Sequence, residues 1–126
     1  MNYYSTRDHQ QIVSAAQAIA CGLAPDGGLF VPEALPAVSV QQLQGLCGMT
    51  YQQRAVTIMR PFLSEFTDAE LERFTAAAYG SQFDDPAVAP VHRLDDATAF
   101  LELWHGPTCA FKDMALQILP YLLTAS

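Results

Sequence analysis

The spacing of apolar residues changes along the chain and separates predicted strands from predicted helices. The aromatic segment Asn2–Thr6 has strand character, and Leu29–Val31, between a Pro-Asp-Gly-Gly turn and Pro32, is predicted as a short buried strand. Asp8 is predicted to cap a helix that Gly22 is well placed to end, because apolar residues recur at helical spacing from Ile12 to Leu23. These residues are Ile12, Ala15, Ala16, Ile19, Ala20 and Leu23.

Between Val40 and Ala78 the pattern is helical three times. The first helix is predicted to end at Gly48, and Pro61 interrupts the second near its end. The third has the clearest start, because Thr67 and Glu70 have the spacing of a capping box. We interpret the apolar side chains of these helices as core rather than as cofactor contacts.

The last third of the chain is predicted to contain a hairpin and an apolar helix. The loop Gly80–Pro90 is the best candidate for an internal boundary. Val91–Leu94 and Thr98–Trp104 are predicted strands, the second one buried on both faces, and an apolar helix that Pro120 interrupts starts near Phe111. Because helices outnumber the short strands, the sequence predicts an α/β fold, or α+β for the chain in isolation.

The composition is that of a folded domain without a nucleic-acid or membrane partner. Of the 126 residues, 51% are hydrophobic and 15% are charged, which supplies enough apolar surface for a core. The net charge of -7 leaves no basic footprint for DNA, RNA or an anionic membrane. No apolar run is long enough to span a membrane and no N-terminal signal pattern is present, so we expect a cytoplasmic protein.

The cysteines and histidines do not suggest a metal site. Cys21, Cys47 and Cys109 are odd in number, far apart and without the CxxC spacing, so neither a disulfide framework nor a zinc site is predicted. We expect them to be small core or loop residues. His9 has no second ligand at a suitable spacing and is expected on the solvated surface.

Lys112 is the only lysine of the chain. It follows a predicted strand and the breaker Gly106-Pro107, at the start of a predicted helix. A helix N-terminus disfavours the charged form of a lysine, and an uncharged amine beside apolar side chains is what imine chemistry with an aldehyde cofactor requires. The alternative is a solvated surface lysine that happens to be alone.

Two segments of the chain carry a family resemblance. His105–Asp113 has the sequence His-Gly-Pro-Thr-Cys-Ala-Phe-Lys-Asp, and the chain opens with Tyr3–Arg7 followed by Gly22–Pro32. In this order the segments resemble threonine synthase, a pyridoxal 5'-phosphate (PLP) enzyme of the tryptophan-synthase-β-like fold. The resemblance implies a mostly helical N-terminal domain with short strands at residues 1–80, and at residues 81–126 the beginning of a PLP-binding domain that carries the cofactor lysine.

The resemblance also implies roles for four residues of the loop. Lys112 would hold PLP as a Schiff base and move protons at the α and β carbons of the substrate. Phe111 would pack beside the cofactor ring, and Thr108 is the next candidate for the active-site wall. His105 would either orient the substrate or close the turn by hydrogen bonding, because the sequence identifies no catalytic partner for it.

The reaction that the resemblance implies converts O-phospho-L-homoserine and water to L-threonine and phosphate. In that family the groups that bind the cofactor phosphate and the substrate carboxylate are expected beyond Ser126, in a C-terminal part of the enzyme that would be the partner of this N-terminal fragment. We therefore expect the chain alone to be inactive. Two alternatives remain, a related PLP-dependent lyase of the same fold with another substrate and a folded module without a catalytic role.

Overall fold

Six helices and five short strands form the protein in a computed structural model that describes residues 1–126. The strands are β1 (Asn2–Ser5), β2 (Ile12–Ser14), β3 (Phe30–Pro32), β4 (Val91–Arg93) and β5 (Ala99–Leu101). The helices are α1 (Ala15–Cys21), α2 (Val40–Leu46), α3 (Tyr51–Met59), α4 (Asp68–Ala78), α5 (Asp113–Leu116) and α6 (Leu119–Ala125). This mixed content confirms the predicted α/β fold class. None of the helices has the length and the apolar character that crossing a membrane requires.

The N-terminal strand is the middle of a three-stranded antiparallel sheet with the order β2-β1-β3. Ser5, at the end of β1, is fully buried, and its hydroxyl donates a hydrogen bond of 2.8 Å to the carboxylate of Asp26. The same carboxylate accepts the N–H of Gly28 at 2.8 Å. A Cβ at Gly28 would lie 2.1 Å from Ser5 Oγ, so only glycine fits this close approach. The turn before β3 is therefore held against the end of β1 by these contacts and has a structural role in the sheet.

Each of the helices α1 to α4 begins at a capping box. The Ser or Thr before the helix accepts the backbone N–H three residues later, and the Gln or Glu at that position accepts the N–H of the capping residue. The pairs are Ser14 with Gln17, Ser39 with Gln42, Thr50 with Gln53, and Thr67 with Glu70. The capping box that the sequence predicts at Thr67 is confirmed.

The predicted start of α1 is wrong. The apolar spacing predicts a helix from Asp8, but Ile12–Ser14 pairs with β1 as a strand and the helix begins at Ala15. Asp8 instead accepts the N–H of Gln10 at 2.9 Å and closes a turn. The β-branched residues of this segment are compatible with either structure, so the cap at Ser14 and the pairing with β1 decide it.

The core lies around α4, in which Leu71 and Ala78 are completely buried. It also takes apolar side chains from α1, from the segments flanking α4 and from α6. The other members are Ala15, Leu63, Phe66, Phe74, Tyr79, Phe83, Val88, Ile118 and Leu122. Pro120 lies in the first turn of α6, where the missing N–H costs nothing, and the helix break that it predicts is confirmed.

The predicted hairpin is confirmed, but its predicted burial is wrong. β4 and β5 pair antiparallel, with Val91 opposite Leu101 and His92 opposite Phe100. All residues of β5 are exposed, including Phe100 at 51% and Leu101 at 58%. The reason is that the two strands form a sheet of their own, onto which no helix of the chain packs.

Candidate functional site

Lys112 lies between β5 and α5, at the strand-loop-helix junction that the sequence predicts. It precedes the first residue of α5, with φ -64° and ψ -20°, and no side chain caps this helix start. Its carbonyl oxygen accepts the N–H groups of Ala115 and Leu116 at 3.0 and 2.8 Å. The side chain is exposed and forms neither a hydrogen bond nor an ion pair. The helix is shorter than the sequence predicts, because α5 is a single turn of four residues.

A tight turn precedes Lys112. The N–H of Cys109 donates to the carbonyl oxygen of Gly106 at 3.0 Å, which places Pro107 at the second position of the turn, where its ring favours the backbone angle. Cys109 has φ +54°, in the left-handed region that non-glycine residues seldom adopt. Gly106 is buried, and a Cβ there would lie 2.6 Å from both Cβ and Oδ2 of Asp113. The turn and Asp113 are therefore in direct contact.

Asp113 is fully buried and holds this turn by hydrogen bonds. Its Oδ2 accepts the N–H of Thr108 at 2.9 Å, and the Thr108 hydroxyl lies 3.0 Å from each carboxylate oxygen. Gln117 Nε2 is a more distant donor at 3.4 Å. Burial pushes the pKa of Asp113 upwards, but the hydrogen bonds from Thr108, with Ala110 and Gln117, outweigh burial, and the pKa lies below its ordinary value of 3.8.

Asp113 is a functional candidate that sequence reasoning missed. Its signals are an acidic residue within an apolar segment, directly after Lys112 and five residues after Thr108. An aspartate can reach back to a threonine at this distance only if a turn intervenes. Thr108 is predicted as part of an active-site wall, and its hydroxyl is engaged by Asp113.

His105 is held between two carboxylates. Nδ1 lies 2.5 Å from Asp84 Oδ1 and Nε2 lies 2.7 Å from Glu102 Oε2. Hydrogen bonding to Glu102 first, and to Asp84 second, raises the pKa of His105 above 6.5 against the opposite effect of burial. In return, the N–H of Asp84 donates to the His105 carbonyl oxygen at 3.0 Å. His105 thus connects the loop to the segment that follows α4.

The four predicted site residues lie in one loop and differ in their surroundings. Phe111 is 66% exposed, and Lys112 beside it is also exposed, whereas both ring nitrogens of His105 and the hydroxyl of Thr108 are engaged. All three cysteines are exposed free thiols. Of the predicted core or loop positions, none is a core position; Cys47 and Cys109 lie in loops, and Cys21 ends α1. No group of three or more His, Cys, Asp and Glu side chains is arranged to hold a metal ion.

Comparison with known proteins assigns this chain to a family. The family model described as "Threonine synthase N terminus" matches residues 2–79. The threonine synthase of Pseudomonas aeruginosa is 41% identical over 124 residues, which are 98% of this chain and 26% of that protein. Human "Threonine synthase-like 1" is 39% identical over 121 residues, which are 91% of this chain and 16% of that protein.

Solved structures agree with the sequence comparison. The PLP-bound threonine synthase from Brucella melitensis superimposes with a TM-score of 0.93 at 38% identity, over 99% of this chain and 27% of that chain. The yeast threonine synthase gives a TM-score of 0.90 at 37% identity, over 98% of this chain and 26% of that chain. The chain thus spans about a quarter of the length of the threonine synthases that it matches.

Proposed function

The chain belongs to the threonine synthase family, whose N-terminal model matches residues 2–79, and from this premise we propose that it is the N-terminal part of a PLP-dependent lyase. The complete enzyme would convert O-phospho-L-homoserine and water to L-threonine and phosphate. The observation that supports this most is the placement of the only lysine, with a free and exposed side chain, in the loop that resembles the cofactor-lysine segment.

Lys112 fits the role of the residue that holds PLP. Its Nζ has no competing hydrogen bond or ion pair, so it is available to an aldehyde. The PLP-bound relative from Brucella melitensis supports this choice of cofactor. PLP, when bound, supplies a ring that stabilises negative charge at the substrate carbons. Lys112 would then accept and return protons at the α and β carbons of the substrate.

The other loop residues are proposed to shape the site. Phe111 offers an exposed aromatic surface next to Lys112 that a planar ring can cover. We propose that Thr108 contributes to the active-site wall through its backbone and methyl group, because its hydroxyl is engaged by Asp113. Of the two roles predicted for His105, we propose the closing of the turn, since two carboxylates occupy its ring nitrogens.

The chain alone is proposed to be inactive. It spans about a quarter of its relatives' length, and catalysis in this class depends on groups that orient the cofactor and the substrate. We propose that a C-terminal part of the enzyme supplies them. The end of the family match at residue 79 supports the proposed division into an N-terminal domain at residues 1–80 and the start of a PLP-binding domain at residues 81–126.

A second candidate is a related PLP-dependent enzyme of the same fold that acts on a different phosphorylated or hydroxylated amino acid. Human "Threonine synthase-like 1" is 39% identical to the chain, almost as similar as the threonine synthase of Pseudomonas aeruginosa at 41%.

Cofactor attachment is testable on the 126-residue chain. The chain is mixed with PLP, reduced with borohydride, digested and mapped by mass spectrometry. Lys112 carries the only side-chain amine, so the amino group of Met1 is its sole competitor. We expect the pyridoxyl group on Lys112, and its loss in Lys112→Arg, which keeps the charge. Label on Met1 alone would contradict the cofactor role.

The substrate is tested in the chain joined to the C-terminal part of the enzyme. We expect phosphate release from O-phospho-L-homoserine, and loss of this activity in Lys112→Ala. Activity toward another phosphorylated or hydroxylated amino acid in its place would select the second candidate.

A further inference from the structure

We propose that Asp113 is a positioning residue, whose buried carboxylate ties the turn at Gly106–Cys109 to α5 and so fixes the backbone from which Lys112 projects. The link between the turn and α5 stands on geometry alone. Its meaning for catalysis rests on the proposed function of Lys112.

The carboxylate of Asp113 is directed at the loop. It is the only acidic side chain of the protein that is fully buried, and burying a charge is costly unless hydrogen bonds compensate. Thr108 supplies that compensation through its N–H at 2.9 Å and its hydroxyl at 3.0 Å, and Gln117 adds a contact at 3.4 Å. No buried side-chain polar atom is left without a partner. A carboxylate so enclosed is not accessible to a substrate, and its effect must pass through the loop.

The position of Lys112 makes it sensitive to this link. Helices normally begin with a side chain that caps the first turn, and four helices of this chain do so. α5 has no such cap at Lys112. The first residue of α5 instead anchors the preceding turn, and Gly106 leaves no space between that turn and the Asp113 side chain. Lys112 is thus held between two segments that Asp113 connects.

Four variants of the 126-residue chain test the link. Asp113→Asn keeps the shape and removes the charge, and Thr108→Val removes the hydroxyl donor while leaving Asp113 in place. Thr108→Ser restores the hydroxyl and should rescue the loop. Asp26→Asn is the matched control, because Asp26 holds the turn before β3 in the same way, by one side-chain hydroxyl and one backbone N–H.

Two measurements report on the loop. The first is hydrogen exchange of the amides of Thr108 and Cys109, which are hydrogen-bonded within the turn. We expect this exchange to be about tenfold faster in Asp113→Asn, the factor that corresponds to ~1.4 kcal/mol. The second is the fluorescence anisotropy of a pyridoxyl group reduced onto Lys112, with the N-terminus acetylated so that Lys112 alone is labelled. We expect lower anisotropy in Asp113→Asn and Thr108→Val, and wild-type values in Thr108→Ser and Asp26→Asn.

The outcomes separate this proposal from the cofactor role of Lys112. Hydrogen exchange needs no PLP, so it tests the link even where the wild-type chain takes no label. Unchanged exchange and anisotropy in Asp113→Asn and Thr108→Val would overturn the proposal. Faster exchange with unchanged anisotropy would also overturn it, since the lysine would then not depend on the link. Equal changes in α3 and α4 would indicate general destabilisation and count against a local role.

Discussion

Tyr79→Phe tests whether a single hydroxyl connects the core to the Lys112 region. The Tyr79 ring is 4% exposed at the end of α4 and meets Tyr51 edge-on, with centroids 5.0 Å apart. Its hydroxyl donates to the carbonyl oxygen of Met114, on α5, at 2.7 Å. The substitution keeps the ring and leaves that carbonyl oxygen without this donor. We expect the free energy of unfolding to fall by about 1 kcal/mol at neutral pH.

The pH dependence of the same variant gives a sharper test. Burial, with a smaller contribution from Tyr51, raises the pKa of Tyr79 from 10.0 to about 12. Because the folded state binds this proton more tightly, Tyr79 stabilises the fold fully below pH 10, and this stabilisation is lost as the pH rises toward 12. The loss amounts to about 1.4 kcal/mol by pH 11, and phenylalanine does not incur it. This loss exceeds the ~1 kcal/mol that the hydrogen bond contributes, so the stabilities of wild type and variant should become equal somewhat below pH 11.

Urea unfolding followed by circular dichroism between pH 8 and pH 11 measures both effects. The pKa values of Tyr3 and Tyr51 are also raised by burial, but these residues are present in both proteins and their effects cancel in the difference. Tyr121→Phe is the control, since the Tyr121 ring is 38% exposed and its hydroxyl makes no hydrogen bond. A difference between wild type and Tyr79→Phe that stays constant over this pH range would refute the reasoning.

Two further outcomes are expected. Leu71→Ala should lower the free energy of unfolding in the urea titration by about 2–5 kcal/mol, because it opens a cavity in the core. Its control, Leu35→Ala at a position 82% exposed, should lower it by less than about 0.5 kcal/mol. Equal losses would contradict the assigned core. Glu102→Gln should lower the midpoint of the His105 titration followed by NMR, because the hydrogen bond to Glu102 is the main cause of the raised pKa. The raised pKa stabilises the fold at low pH, and this stabilisation is lost as the pH rises through the folded pKa. It should therefore be smaller in the variant. An unchanged midpoint would rule out that cause.

Features that depend on residues close together in the sequence were predictable, whereas features that depend on distant residues were not. The start of α4 was predictable because its capping box lies within four consecutive residues, Thr67 to Glu70. The break at Pro120 was predictable for the same reason. The start of α1 was not, since pairing between β1 and Ile12–Ser14 competes with the helical spacing over a longer distance. The exposure of β5 depends on which elements pack on it, and strand composition does not contain that information.

The same distinction between local and distant interactions applies to the candidate site. The placement of Lys112 at a junction was predictable from the adjoining glycine and proline, which act locally. The burial of Asp113 was not, because it depends on a turn that includes a left-handed Cys109 and on a contact with Gly106. The two carboxylates around His105 come from separate segments, and one of them, Asp84, is 21 residues away in the chain.

The four capping boxes differ in one chemical respect. Gln17, Gln42 and Gln53 close those of α1, α2 and α3, so no proton can bind at these three capping boxes. Glu70 closes the fourth, and the hydrogen bonds from Thr67 lower its pKa below 4.5. The stabilisation from this carboxylate is present above pH 4.5 and disappears as the pH falls through the lowered value. Among the four capping boxes, acidification therefore weakens that of α4, the helix around which the hydrophobic core is built.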